Sequence, residues 1–176
     1  MTASPDEQPP GAAAILPGLR WSIKRSFVDY ISHAPGGRAT LRDGAFATGS
    51  REVVFPYDAS QGDGESPKSP WFRGGVVFSA HSGVLLVRVD SPQVELSGRG
   101  GALTIADPFD RSGQARRLLA TFDVGCERLG PFERWTGTAV RLAPESTELF
   151  NDVYPAGAEF DPLTIVLPAY RAALSG

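Results

Sequence analysis

The sequence predicts a mostly-β domain, an antiparallel β-sandwich or a barrel-like sheet, with two short helices. Three observations lead there. Twenty Gly and 15 Pro are spread along the 176 residues as punctuation, and frequent turn residues cut a chain into short strands. Between them lie short apolar or alternating runs. Only two stretches read as helix. At this length the chain builds one domain with a real core and does not comfortably hold two. Residues 18–176 are read as that domain, and the Pro/Ala/Gly-rich residues 1–17 as a flexible N-terminal tail.

The first helix is predicted over residues 19–32. Leu19, Ile23, Phe27, Tyr30 and Ile31 fall on one side at helical spacing, Ser22 is a plausible N-cap, and Pro35-Gly36-Gly37 stops the helix. Tyr30 thus sits within an apolar stripe, where a buried hydroxyl needs a partner. Residues 38–42, 45–48 and 52–55 read as short strands, with Asp43-Gly44 as a turn. The polar, Gly- and Pro-bearing residues 57–70 read as a loop, either functional or disordered.

A hairpin follows. Residues 75–80 and 84–89 flank His81-Ser82-Gly83 at the tip. Alternation puts Val76, Phe78 and Ala80 on one face and Val77, Ser79 and His81 on the other. Further strands are predicted at 93–97, 102–106, 117–124, 136–142 and 163–167. Residues 144–150 read as the second helix, because proline and acidic residues suit a first turn.

Composition closes off several function classes. A net charge of −3 gives no electrostatic footprint for nucleic acid or an anionic membrane. One cysteine, Cys126, excludes an intramolecular disulfide and a multi-cysteine metal site within the chain. No apolar run is long enough for a membrane-spanning helix, so no membrane insertion is expected. The first residues carry Asp6 and Glu7 and lack a basic segment before an apolar one. As written, the chain reads as cytoplasmic; if Met1 is not the native start, a secreted or surface location is the alternative.

Three motifs stand in order along the chain. They are Gly18-Leu-Arg-Trp21 with Lys24-Arg-Ser-Phe27 and Tyr30; Phe72-Arg-Gly-Gly-Val-Val-Phe78 with His81-Ser-Gly-Val-Leu85 and Asp90-Ser-Pro92; and Phe150-Asn-Asp-Val-Tyr154-Pro-Ala-Gly157 with Asp161-Pro162. Together they resemble the Htaa domain of actinobacterial iron-uptake systems, from about Gly18 to Leu167. That resemblance implies a mostly antiparallel β fold that binds haem b. It also implies that Tyr30 ligates the iron, that His81 hydrogen-bonds Tyr30, and that Tyr154 contacts the haem.

The implied chemistry is coherent. A phenolate is a hard anionic ligand for haem iron. A free phenol titrates near pH ~10, so iron and a hydrogen bond must favour the anion. On the same helix edge Ser26 is placed to meet a propionate, and Phe27, Val77 and Phe150 are candidate apolar walls. Plainer readings stand beside these. His81 also reads as a partly exposed turn residue and Tyr154 as a turn anchor. His33 reads as a cation at a helix end, Cys126 as a half-buried spare thiol, and Arg116-Arg117 as a solvated strand edge.

Two function classes follow. The first is a haem-binding protein for uptake, transfer, storage or buffering, working with a haem-donating or haem-accepting protein. The second is a peroxidase-like or haem-degrading enzyme, which needs an acid–base group over an open face. No second histidine is well placed for that, so a binding module is favoured over an enzyme. A haem-free β-sandwich interaction domain is a third alternative. The sequence leaves open a homodimer around a shared haem.

Overall fold

The computed structural model describes residues 15–61 and 68–169. Residues 1–14 of the tail read at 1–17, and residues 62–67 of the 57–70 loop, lie outside the described residues. In chain order the elements are β1 (Gly18–Trp21), α1 (Arg25–His33), β2 (Arg38–Arg42), β3 (Phe46–Ala47), β4 (Val53–Pro56) and β5 (Gly75–Ala80). A single 3-10 turn (His81–Gly83) leads into β6 (Leu85–Asp90), β7 (Gln93–Ser97), β8 (Gly100–Ala106), β9 (Arg116–Leu129) and β10 (Phe132–Leu142). A 3-10 helix (Pro144–Phe150) and β11 (Leu163–Pro168) complete the order.

The strands form an eight-stranded sheet, β3-β4-β1-β11-β10-β9-β8-β7, and a three-stranded sheet, β2-β5-β6. Every strand pairing is antiparallel. The large sheet ends at β3 and β7 without closing, so the mostly-β expectation holds as a sandwich and the barrel alternative does not. One apolar core gathers Leu19, Trp21, Phe55, Leu103, Leu119 and Ile165 from the large sheet, Val76, Phe78, Val87 and Val89 from the small one, and Phe27 and Ile31 from α1. Among the described residues no helix is long and apolar enough to cross a membrane.

The N-terminal motif divides where the sequence predicts one helix. Leu19 and Trp21 are buried on β1, which pairs with β4 on one edge and β11 on the other. Leu19, Ile23 and Phe27 satisfy helical spacing, but Leu19, Trp21 and Ile23 equally satisfy strand alternation. Two paired edges decide for the strand. Ile23 then turns the chain through φ +62°, and α1 starts at Arg25. Ser22 is buried and is not the N-cap. That position belongs to Lys24, which makes no capping bond. The Asp161 carboxylate instead accepts the Arg25 N–H at 3.1 Å, placing a negative charge at the helix start.

Strands β9 and β10 run past the predicted 117–124 and 136–142. Their outer ends carry Glu127, Arg128, Glu133 and Arg134, which hide any apolar alternation; the ladder there rests on backbone pairing and the Glu127–Arg134 ion pair. The Arg116-Arg117 pair is also not a solvated edge, because β9 lies between β8 and β10. Arg116 stacks over Trp71 at 4.7 Å and donates to the Ser91 carbonyl at 2.8 Å. Arg117, its side chain 14% exposed, bonds Asp107 at 3.1 Å and Glu148 at 2.6 Å. It also donates to the Glu145 carbonyl.

Arg117 and Ser146 thereby fasten the 3-10 helix to β9, the second through a bond from Ser146 Oγ to the Leu118 carbonyl at 2.5 Å. Burial works against the Asp107 carboxylate, but bonds from Arg117 and the Phe109 N–H outweigh it and hold the group below its usual range. A carboxylate lowered on folding stabilises the fold above its unfolded pKa, near pH ~4, and that contribution disappears as the pH falls through the folded value. Arg117→Met is expected to cost about 2–3 kcal/mol at neutral pH by leaving Asp107 unpaired. Urea melts between pH 3 and pH 7 (a range set by the carboxylate pKa, ~4) should show the difference from wild type shrinking with acid. A constant difference would show that the Asp107 pairing carries none of it.

Candidate functional site

The site begins with the pitch of α1. Phe27 and Ile31 are buried on its inner face, and Phe27 meets Phe78 and Phe150 edge-on at 5.3 and 5.4 Å. Tyr30 lies about 60° around the helix from Phe27, at the border of the apolar stripe and not within it, and is 51% exposed. The helix then ends tightly. The Ala34 N–H reaches the Tyr30 and Ile31 carbonyls at 2.9 and 3.3 Å. Gly37 passes so close beneath that a Cβ there would lie 1.7 Å from the Ile31 carbonyl oxygen.

This close approach fixes Pro35, and Pro35 fixes the hairpin tip. Its carbonyl accepts the His81 N–H at 2.8 Å. His81 and Ser82 both take left-handed backbone conformations, φ +52° and +56°, a strained arrangement that places side chains at functional sites. Val84, predicted as strand, closes the turn in helical conformation with its N–H on the His81 carbonyl at 3.2 Å. As a result Tyr30 Oη and His81 Nε2 stand 2.7 Å apart, from residues separated by 51 positions.

The pair stands between two clefts. One, of about 450 Å³, is apolar: Phe27, Phe150 and Leu85 reach it from the core, and Val84 and Val153, 79% and 68% exposed, stand at its mouth. Asn151 and Tyr154 complete the lining. The other, of about 460 Å³, is the more polar of the two and holds Ser26, Asp29 and His33. Burial pushes the Tyr154 hydroxyl above its usual range, opposed by a hydrogen bond from Ser26.

The predicted site residues thus fall into two groups. Tyr30, His81, Phe27, Phe150 and Tyr154 line the apolar cleft, and Ser26 reaches it only through Tyr154. Val77 does not line it: alternation on β5 turns Phe78 inward toward Phe27 and Val77 to the opposite face. His33 lies in the more polar cleft, with Nδ1 2.8 Å from the Asp29 carbonyl oxygen. Cys126 is exposed, in a separate shallow cleft beside Glu127 and Arg134. Partial burial, Glu133 and Glu127 push its thiol up, away from the thiolate a metal would need. The sequence reading missed Leu85, Asn151 and Val153, although each lies inside a motif it singled out, and placed Val84 on a strand.

Chemically, the pair joins a phenol that solvent reaches to an imidazole able to take or give a proton at Nε2. The adjoining walls suit an apolar ligand larger than a few atoms. Among the described residues no group of three His, Cys, Asp or Glu side chains is set to hold a metal ion by itself.

The chain is similar in structure to two domains of HtaA from Corynebacterium glutamicum. For the N-terminal domain the TM-score is 0.71 at 18% identity, covering 88% of this chain and 98% of that one. For the C-terminal domain it is 0.67 at 21% identity, covering 85% and 93%. The heme binding protein HtaB of the same organism matches with a TM-score of 0.64 at 20% identity, covering 87% and 92%. At these identities the likeness is one of fold. A comparison with curated proteins finds no match. The sequence profile of the Htaa family, by contrast, spans residues 18–166, and the chain belongs to that family.

Proposed function

We propose that this chain is a haem-binding module that holds ferric haem b in the apolar cleft through the Tyr30 oxygen. The observation that carries the reading is the 2.7 Å Tyr30–His81 pair at the mouth of a cleft walled by Phe27, Phe150, Val84 and Val153. Family membership and the likeness to HtaB, described as a heme binding protein, support it. The residues fit such a group: a hard oxygen donor stands beside a face apolar enough for a porphyrin.

Bound haem supplies a ferric centre that accepts a hard anionic oxygen. Each residue then has a defined task. Tyr30 gives up its phenolic proton, and His81 takes it at Nε2 and returns the same hydrogen as a bond to the phenolate. This holds the ring in place and moderates the charge on the ligand oxygen. Phe27, Phe150, Val84 and Val153 exclude water. At the rim, the Tyr154 and Ser26 hydroxyls serve a propionate.

A carrier is favoured over an enzyme. Beside Tyr30, His81 and Tyr154, the cleft lining consists of Phe27, Val84, Leu85, Phe150, Asn151 and Val153, none of which relays protons to a bound oxidant. Titration with hemin, followed by visible absorption, is expected to saturate at one haem per chain with a spectrum unlike free hemin. A spectrum that stays that of free hemin at every ratio overturns the reading. Peroxide turnover by the loaded protein would restore the enzyme alternative.

A further inference from the structure

We infer that Lys24 is the residue that makes the cleft select an ionised carboxylate on the haem edge, acting through Tyr154. The inference deepens the haem reading and rests on it.

Lys24 is half-buried and extended, one residue before α1, with φ −149° and ψ 111°. Its Nζ donates to the Glu159 backbone carbonyl at 2.8 Å. The same ammonium stands over the rings of Tyr154, at 5.3 Å, and Phe160, at 5.6 Å. Among the described residues it forms no ion pair. The neighbouring Asp161 carboxylate is taken by the Arg25 N–H and guanidinium. An ammonium held by ring faces and a carbonyl dipole is fixed in place without being neutralised. In a partly desolvated setting such a charge acts over several ångströms on an anion arriving nearby.

The route to the cleft runs through one side chain. Tyr154 lines the cleft, and the Lys24 ammonium stands over its ring face. Phe27, Phe150 and Phe160 pack against it edge-on at 6.4, 5.8 and 5.7 Å, so the ring has no room to swing away. The ring at the cleft wall is therefore held in place with a positive charge over its face. That geometry favours a carboxylate over a neutral ester, because an ester gains nothing from the charge.

The test compares hemin with hemin dimethyl ester, in one detergent-containing buffer, on wild type, Lys24→Met and Lys24→Arg. Methionine keeps the stem over the rings and removes the charge; arginine keeps the charge. Wild type is expected to prefer hemin roughly tenfold, the preference to fall near parity in K24M through weaker hemin binding alone, and K24R to keep most of it. Unchanged ester binding by K24M also shows that the variant is folded with its cleft intact. Equal weakening toward both ligands would make Lys24 a packing residue and overturn the inference, as would a K24M preference equal to wild type. Wild type binding neither ligand would remove the haem reading itself, a result distinct from both.

Discussion

Tyr30→Ala is expected to abolish the spectrum of the hemin complex and to weaken hemin binding by far more than any other single substitution in the cleft. The argument is one of donors. Beside Tyr30 the apolar cleft offers His81 and Tyr154 as groups able to meet iron. His81 holds its Nε2 on the Tyr30 oxygen, and the Tyr154 ring is fixed among three phenylalanines. Losing a residue that merely supports a metal ligand costs roughly 10–100-fold in affinity, so losing the ligand itself costs more. Tyr30→Phe separates oxygen from ring: it keeps the apolar contacts and is expected to lose the spectrum as completely. Both variants should fold, because Phe27 and Ile31 anchor α1 and Tyr30 is half exposed; thermal melts within about 1 kcal/mol of wild type check this. An unchanged hemin spectrum in Tyr30→Ala would assign the iron to another residue.

His81→Ala is expected to leave ferric haem bound, with a shifted spectrum and faster transfer to an acceptor such as apomyoglobin. Removing one charge-assisted hydrogen bond costs roughly 1.5–3 kcal/mol, less where water takes its place. His33, whose Nδ1 lies 2.8 Å from the Asp29 carbonyl oxygen, is the control: His33→Ala should change neither the spectrum nor the transfer rate. If His81→Ala loses haem as fully as Tyr30→Ala, His81 is itself a ligand or holds the tip together.

The strands were legible wherever one face is buried, since burial is what writes alternation into a sequence. Val76, Phe78 and Ala80 on β5 show it, and the hairpin tip at His81-Ser82-Gly83 was found from them. Legibility failed in two ways. At Leu19, Trp21 and Ile23 two periodicities coincide, and only the pairing partners β4 and β11, distant in sequence, decide between them. At the ends of β9 and β10, exposed charges carry no period at all. For the site, the motifs named Tyr30, His81 and Tyr154, but nothing in their spacing gives a distance. The approach of helix to hairpin depends on the Gly37 passage and on a Pro35 carbonyl, and neither leaves a periodic trace.

That Pro35 carbonyl makes a single amide a reporter for the whole site. The His81 N–H is bonded to it at 2.8 Å, and this contact joins the helix end to the hairpin tip. Solvent hydrogen exchanges into the amide only when tip and helix part. Its exchange rate therefore measures how often the Tyr30–His81 pair comes undone in the native state. Just before it, Ala80 is buried and paired with Leu85, so faster exchange at the His81 amide than at the amides of β5 and β6 would show the tip opening while the sheet beneath stays closed.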